Sequence, residues 1–161
     1  MPKERQLTLF GVKEKPKYIK SKYVKELETR LHREKCLSHL AIKPTYIPMP
    51  KREDKTANGL TCCILDFLKL EGWQAERINV MGRPIETANG IKWIKGQCTV
   101  GSADISATIN GRSVKIEIKI GKDRQSEEQK EYQRQIEHAG GLYFIAKEFA
   151  TFVEWYNNTT F

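Results

Sequence analysis

The strongest structural signal in this sequence is the stretch Gly101-Ser-Ala-Asp-Ile-Ser-Ala-Thr-Ile-Asn-Gly-Arg-Ser-Val-Lys-Ile-Glu-Ile-Lys-Ile120. Its central Asn110-Gly111 pair separates two runs in which apolar and polar residues alternate. This pattern is typical of a β-hairpin closed by a two-residue type I′ turn. The turn fixes which residues face each other, so opposed residues are found by counting outward from it. We expect strands over about 102–109 and 112–120.

This register places apolar residues opposite apolar residues and polar residues opposite polar ones. A slip of one residue would mix the two sets, so the composition of the strands supports the register independently. The apolar face is predicted to pack on a core. The opposed pairs, first on the apolar face and then on the polar face, are Ile105–Ile116, Ala107–Val114, Asp104–Glu117 and Ser106–Lys115.

The polar face brings two carboxylates together. Asp104 and Glu117 are directly opposed, which sets their Cβ atoms about 4.5–5.5 Å apart, and two like charges in this position repel each other. A divalent cation would remove the repulsion, and Mg²⁺ prefers such oxygen ligands. Lys119 points from the same face, where it can orient a water or neutralise a phosphate. The alternative is an ordinary polar surface in which Lys119 and Lys115 pair with the acids.

The rest of the chain predicts an α/β fold, with a mixed β-sheet flanked by helices. We expect a basic N-terminal arm over residues 1–55, containing one helix capped by Ser21 and a proline-containing linker, and a domain over residues 56–161. Asn58 is the expected cap of the first helix of that domain. The remaining predicted elements are a helix at 59–70, a strand at 74–80, a long connection or loose hairpin at 81–100, a helix at 127–139, a strand at 142–147 and a helix at 148–157.

The charge is concentrated at one end of the chain. The net charge is +8, and all of this excess falls within residues 1–55. A basic segment of this kind suits a polyphosphate such as DNA, and the candidate DNA-binding residues here are Lys17, Lys20 and Lys22. The alternative is a solvated tail without a partner.

Several protein classes are disfavoured by the composition. The chain contains no run of about 18 apolar residues, which a membrane helix needs, and its N-terminus lacks the pattern of a signal peptide. The four cysteines form no C-x-x-C pair. We therefore expect a cytoplasmic protein with reduced thiols.

Three motifs in order resemble the PD-(D/E)xK nuclease superfamily. They are Gly101-Ser-Ala-Asp104, then Glu117-Ile-Lys119, then a helix that begins Ser126-Glu-Glu-Gln129. Over residues 56–158 the chain looks most like the virus-type replication-repair nuclease (VRR-NUC) branch. The resemblance implies a restriction-endonuclease-like core and hydrolysis of DNA phosphodiester bonds with Mg²⁺ or Mn²⁺. It also implies a homodimer that acts on branched DNA, such as Holliday junctions, in phage or bacterial replication, repair and recombination.

The resemblance also implies roles for individual residues. Asp104 and Glu117 would be metal ligands, with the backbone carbonyl of Ile118 as a third. Lys119 would be the catalytic lysine, and Gln129 would lie beside the site. For Gln129 a structural role is equally open, because Ser126-x-x-Gln129 has the pattern of a capping box.

Some positions depart from the family or remain open. The residue before the first acid is Ala103, where the family has proline. Asn58 stands where the family often has a metal-binding glutamate, and its amide oxygen is a weaker candidate ligand. Arg77, on the strand after the first helix, is either a phosphate contact or a surface charge, and Lys115 is a further DNA-binding candidate.

Two short motifs lie outside the nuclease pattern. The segment Gln6-Leu7-Thr8-Leu9-Phe10 resembles the Q-L-x-L-F peptide with which bacterial proteins dock on the sliding clamp, and its alternative is an N-terminal strand. His32, Cys36 and His39 share a helical stripe but lack a fourth zinc ligand.

Two functions other than a nuclease stay open: a non-catalytic DNA-binding module of the same fold, and an interaction protein recruited by the clamp.

Overall fold

The structure is a computed structural model that describes residues 18–78, 82–88, 90–94 and 99–161. Four α-helices and six strands occur in these ranges, together with a short 3-10 helix at Pro44–Tyr46. In chain order they are α1 Lys22–Ser38, α2 Ala57–Leu70, β1 Gln74–Arg77, β2 Arg83–Thr87, β3 Gly90–Ile94, β4 Ile105–Ile109, β5 Arg112–Ile118, α3 Glu127–His138, β6 Leu142–Ala146 and α4 Phe149–Asn158.

The main sheet has four strands in the order β1-β4-β5-β6. β1, β4 and β5 are antiparallel neighbours, whereas β6 is parallel to β5, so the sheet is mixed. This confirms the predicted class, a mixed α/β fold with helices flanking the sheet. β2 and β3 form a separate antiparallel hairpin, which is one of the two alternatives expected for residues 81–100.

The predicted β4–β5 hairpin is confirmed in its register. Ile105 pairs with Ile116, and Asn110 and Gly111 both have positive φ angles, of 50° and 80°. These angles are those of a type I′ turn. The strands are shorter than predicted, because β4 begins only after Asp104 and β5 ends at Ile118.

The helix caps were predicted correctly except for one. The Ser21 side chain accepts a hydrogen bond from the backbone of Val24 at the start of α1, as expected. The predicted cap of α2 was wrong: Thr56, not Asn58, has extended backbone and accepts from Gly59 N–H. Asn58 therefore lies inside the first turn of α2, where its side chain is available for other contacts.

The core lies between the apolar face of the main sheet and helices α1, α2 and α4. Ile105 and Ile116 are fully buried there, beside aromatic residues of α2 and α4. Val24 and Leu27 of α1 are 0% and 2% exposed in the same core. The boundary expected at residue 55 therefore separates the charge of the chain, whereas the packing continues across it, because Val24 and Leu27 are buried in one cluster with residues of α2 and α4.

None of the helices in the described ranges is long and apolar enough to cross a membrane.

Candidate active site

Asp104 is held at one end of the main sheet by its neighbours on both sides. Its carboxylate Oδ2 accepts a hydrogen bond from the backbone N–H of Ile118 at 2.8 Å. Its backbone carbonyl accepts from Ile78 N–H, also at 2.8 Å. The residue is thereby fixed between the C-terminal ends of β1 and β5, on the side of the hairpin away from the turn.

Glu117 is buried next to this position, on the polar face of β5. It is 2% exposed, yet it carries an ionisable group with three side-chain partners. Lys119 Nζ lies 3.1 Å from Oε1, Gln129 Nε2 donates to the same oxygen at 2.5 Å, and the Tyr143 hydroxyl donates to Oε2 at 3.5 Å. These donors offset part of the free-energy cost of burying the carboxylate.

The environment shifts the pKa of the Glu117 carboxyl upward. Burial is the largest cause, and the negative charge of Asp104 adds to it. The ammonium of Lys119 and the hydroxyl of Tyr143 oppose the shift without cancelling it. The negative charge of Asp104 thus acts on Glu117 in the folded chain, in the sense that like charges disfavour ionisation.

Lys119 is almost completely buried, with 7% of its surface exposed. Its backbone N–H donates to the carbonyl of Ala146 at the end of β6. Its ammonium bridges Glu117 and the exposed carboxylate of Asp123, at 3.1 and 3.5 Å. The lysine therefore lies between the carboxylates of Glu117 and Asp123.

Gln129 serves both of the roles that the sequence left open. Its backbone N–H donates to Ser126 Oγ, and its Oε1 accepts from Ser126 N–H, which completes a capping box at the start of α3. Its Nε2 is left to donate to Glu117. The first turn of α3 is thereby attached to the polar face of the sheet.

Tyr143 is a member of the site that sequence reasoning missed. β6 runs parallel to β5, and this pairing sets the Tyr143 side chain beside Glu117. Burial and the nearby charge of Glu117 raise the pKa of its hydroxyl far above the usual range, so it acts as a donor. The sequence signal was the apolar run 139–145, but its partner strand was not evident without the fold.

The loop before Asp104 fits closely against α3. Gly101 has a φ of +80°, and a Cβ atom placed on it would lie 2.4 Å from the carbonyl oxygen of Glu128. Only glycine satisfies both the left-handed backbone and this close approach. The contact fixes the distance between the segment that carries Asp104 and the helix that carries Gln129.

Asn58 and Arg77 form a pair at the same end of the sheet. The Asn58 Oδ1 atom accepts a hydrogen bond from Arg77 Nη1 at 2.8 Å. Arg77 is the last residue of β1, and the next residue, Ile78, bonds to Asp104. The amide oxygen considered as a metal ligand is therefore engaged by an arginine. Arg77 is exposed and is opposite Ile105, whose side chain is on the core face of the sheet, whereas Glu117 is on the polar face.

The other predicted basic residues lie in different surroundings. Lys115 donates to Ser106 Oγ at 2.6 Å, on the same face as Glu117. Lys20 pairs with Glu28, and Lys22 lies over the ring of Tyr23. Lys17 and the clamp-like segment Gln6, Leu7, Leu9 and Phe10 lie outside the described residues, so clamp docking stays a prediction, as does the homodimer.

The zinc possibility receives no geometric support. His32 Nε2 lies 2.9 Å from the carbonyl of Ile47, and His39 Nδ1 lies 2.9 Å from the carbonyl of Lys35. The two rings are thus engaged with different parts of the backbone. In the part of the chain that the structure describes, no group of three or more His, Cys, Asp or Glu side chains is arranged to hold a metal.

The residues present nevertheless fit a hard divalent cation of the Mg²⁺ type. Two carboxylates at one sheet end provide oxygen ligands, and Mg²⁺ is commonly held by one or two carboxylates while keeping several waters. Burial raises the pKa of Glu117 most, and the charge of Asp104 adds to the shift, so a cation bound between the two carboxylates would favour the ionised form of Glu117. Asp104, Glu117 and Ile118 are the residues that would hold it.

No protein-family model matches this chain, and no curated protein or solved structure matches it either. Its function is therefore inferred from the site itself.

Proposed function

We propose that this protein is a metal-dependent DNA nuclease with a PD-(D/E)xK core of the VRR-NUC type, selective for branched DNA. The observation that carries the proposal is the convergence of Asp104, Glu117, Lys119 and Gln129 at one end of the sheet. Two acids, a buried lysine and an orienting amide form a set that suits hydrolysis of a phosphodiester. In an ordinary polar surface cluster the glutamate would be exposed, whereas Glu117 is 2% exposed.

Each residue has a role that its contacts support. Asp104 and Glu117 present carboxylate oxygens on the polar face, and Gln129 and Tyr143 hold Glu117 in position. Lys119 delivers a positive charge next to the carboxylates, where it stabilises the charge that develops on the phosphate or orients the attacking water. A bound Mg²⁺ or Mn²⁺ would acidify that water and stabilise charge on the phosphoryl oxygens.

Arg77 supplies a contact for the substrate in this scheme. Its exposed guanidinium is held by the Asn58 amide, and the next residue along the chain, Ile78, donates its N–H to the Asp104 carbonyl. A guanidinium binds phosphate through two parallel hydrogen bonds, which fixes orientation as well as charge. We therefore assign it to a phosphate of the DNA next to the one that is cut.

The test is cleavage of labelled duplex, single-stranded, flap and four-way-junction DNA, with Mg²⁺, Mn²⁺ or EDTA. Glu117→Gln and Lys119→Ala are expected to lower the cleavage rate by about 100-fold or more, since each removes a charge that acts on the transition state. The matched controls on the exposed surface of α3 are Glu131→Gln and Lys130→Ala, which should cut like the unaltered protein. Unchanged cleavage in Glu117→Gln would refute the proposal.

A non-catalytic DNA-binding module is the second candidate, and one observation favours it. Asn58 stands where the resemblance implies a metal-binding glutamate, and the oxygen of its neutral amide already accepts a hydrogen bond from Arg77. If this arrangement prevents metal binding, the protein will bind one of the four DNA substrates tightly and cut none of them with either metal.

A further inference from the structure

The buried ammonium of Lys119 has two carboxylate partners, and only one of them is a candidate metal ligand. In the described part of the chain its ion pairs are with Glu117, at 3.1 Å, and with Asp123, at 3.5 Å. The side chain of Glu117 is 2% exposed, whereas that of Asp123 is 61% exposed. Asp123 is therefore a solvent-exposed counter-charge for the lysine, beside the buried one.

A local turn places the Asp123 carboxylate beside the lysine four residues before it. The backbone N–H of Asp123 donates to the carbonyl of Ile120 at 3.2 Å, which closes a β-turn directly after Lys119. One carboxylate oxygen, Oδ1, accepts from the backbone N–H of Arg124 at 2.8 Å, and the other, Oδ2, faces Lys119. The aspartate is thus fixed by backbone hydrogen bonds, although its side chain is exposed.

The charges of the candidate site balance only when Asp123 is counted. Asp104, Glu117 and Asp123 are three carboxylates and Lys119 is one ammonium, so the ionised set has a net charge of −2. One divalent cation neutralises this set. Without Asp123, the same cation would leave an excess positive charge where Glu117 and Lys119 are buried, and an uncompensated buried charge is costly.

Glu117 cannot serve Lys119 and a cation equally. Its Oε1 atom already lies next to two donors, the ammonium of Lys119 and the amide of Gln129. When Glu117 holds a divalent cation, its charge is shared with that cation, and Lys119 has a second positive charge nearby. Like charges in a poorly solvated place repel strongly, so the ammonium then needs a carboxylate that does not hold the cation. Asp123 is in contact with it and meets this need.

We propose that Asp123 is a positioning residue that keeps the ammonium of Lys119 paired while Glu117 holds a divalent cation. The inference rests on the metal site of the proposed function. Asp123 acts through Lys119 in this scheme and is not itself a metal ligand. Its effect on metal binding should therefore depend on the lysine, which distinguishes it from a direct attraction between Asp123 and the cation.

The test is binding of Mn²⁺ to the whole chain without DNA, with free Mn²⁺ measured by electron paramagnetic resonance. Asp123→Asn is expected to weaken Mn²⁺ binding by about tenfold, the lower end of the range for residues that support a metal ligand, because water screens an exposed carboxylate. Asp123→Glu keeps the charge and should bind Mn²⁺ within about threefold of the unaltered protein. The matched control Glu131→Gln removes the same charge from the exposed surface of α3 and should change the affinity by less than about twofold.

A double-mutant cycle shows whether Asp123 acts through the lysine. Lys119→Gln removes the ammonium, so in that background Asp123→Asn should change the Mn²⁺ affinity by less than about twofold. An equal loss with and without the lysine would overturn the proposal, because Asp123 would then act on the cation directly. Unchanged affinity in Asp123→Asn alone would overturn it as well, and so would an equal loss in Glu131→Gln.

DNA cleavage provides a second measurement that does not depend on the folding of a Lys119 variant. The Mn²⁺ concentration for half-maximal cleavage should rise by about tenfold in Asp123→Asn and should stay unchanged in Glu131→Gln. The same half-maximal concentration in Asp123→Asn and in the unaltered protein would contradict the proposal.

The outcomes separate this inference from the proposed function. If the protein binds Mn²⁺ and cuts DNA but Asp123→Asn binds Mn²⁺ normally, the inference fails alone. If Mn²⁺ binding depends on Asp123 through Lys119 but no DNA is cut, the inference stands and the nuclease fails. If the unaltered protein does not bind Mn²⁺, both fail.

Discussion

At the scale of single residues, Gln129 shows how one side chain joins local structure to the site. Its carboxamide oxygen belongs to the capping box of α3, while its nitrogen donates to Glu117. Neither hydrogen bond excludes the other, since the amide has a donor and an acceptor that point apart. The sequence posed these roles as alternatives because spacing alone does not show which way each end of an amide points.

The two roles of Gln129 predict separable effects. Gln129→Ala should lower cleavage by about 10- to 100-fold, as loss of a group that orients a metal ligand does. Ser126→Ala is the matched control, because it removes the helix cap but leaves the contact with Glu117. It should cost about 0.5–2 kcal/mol of unfolding free energy with little loss of cleavage. Equal activity losses in the two variants would mean that Gln129 acts only through the stability of α3.

At the scale of secondary structure elements, α1 is part of the folded core although its sequence lies in the basic region. Val24 and Leu27 are covered by α2 and α4, and Glu28 accepts hydrogen bonds from Lys20 and from the backbone of Arg52. The linker that contains Arg52 is thereby fastened to α1. The region before residue 56 thus contributes structure as well as charge.

Loss of the α1 contact should destabilise the whole domain. Leu27→Ala is expected to lower the unfolding free energy by about 2–5 kcal/mol, because it leaves a cavity in the core. Leu37→Ala, in the same helix but 55% exposed, should change it by no more than about 0.5 kcal/mol. Urea unfolding followed by circular dichroism measures both. A small effect in both variants would show that α1 does not belong to the cooperative unit.

At the scale of the whole molecule, the charge is distributed as binding of a polyanion requires. All of the net charge of +8 falls within residues 1–55, and α1 attaches the described part of this region to the domain that contains the carboxylates. Basic residues and the candidate site therefore belong to one folded body. Under the proposed function, nonspecific contacts between these basic residues and phosphates would bring DNA to the site before a branch is selected.

The charge distribution predicts the salt dependence of DNA binding. Residues 1–17 contain five basic residues, namely Lys3, Arg5, Lys13, Lys15 and Lys17. Deleting this segment should lower the slope of log K against log salt by about 0.9 for each duplex phosphate that it neutralises. The measurement is fluorescence anisotropy with duplex DNA between about 50 and 200 mM salt. An unchanged slope would show that these residues do not contact DNA.

The sequence by itself determined the β4–β5 register and the caps at Ser21 and Ser126. All of these depend on residues close together in the chain, where turn geometry, alternation and capping hydrogen bonds act directly. Alternation also indicated which face of the hairpin is buried. The alternation pattern predicted strands that are longer than β4 and β5 are in the structure. The residues just beyond the strand ends, Asp104 and Lys119, make hydrogen bonds to other segments instead.

Only the tertiary structure decided which distant segments complete the site and the core. The parallel pairing of β6 with β5 brings Tyr143 to Glu117, and the approach of α2 to β1 brings Asn58 to Arg77. The burial of Leu27 against α2 and α4 is likewise a contact that only the tertiary structure shows. Each of these contacts joins residues far apart in the chain. Its free energy comes from packing and burial in the complete fold, which local propensities do not encode.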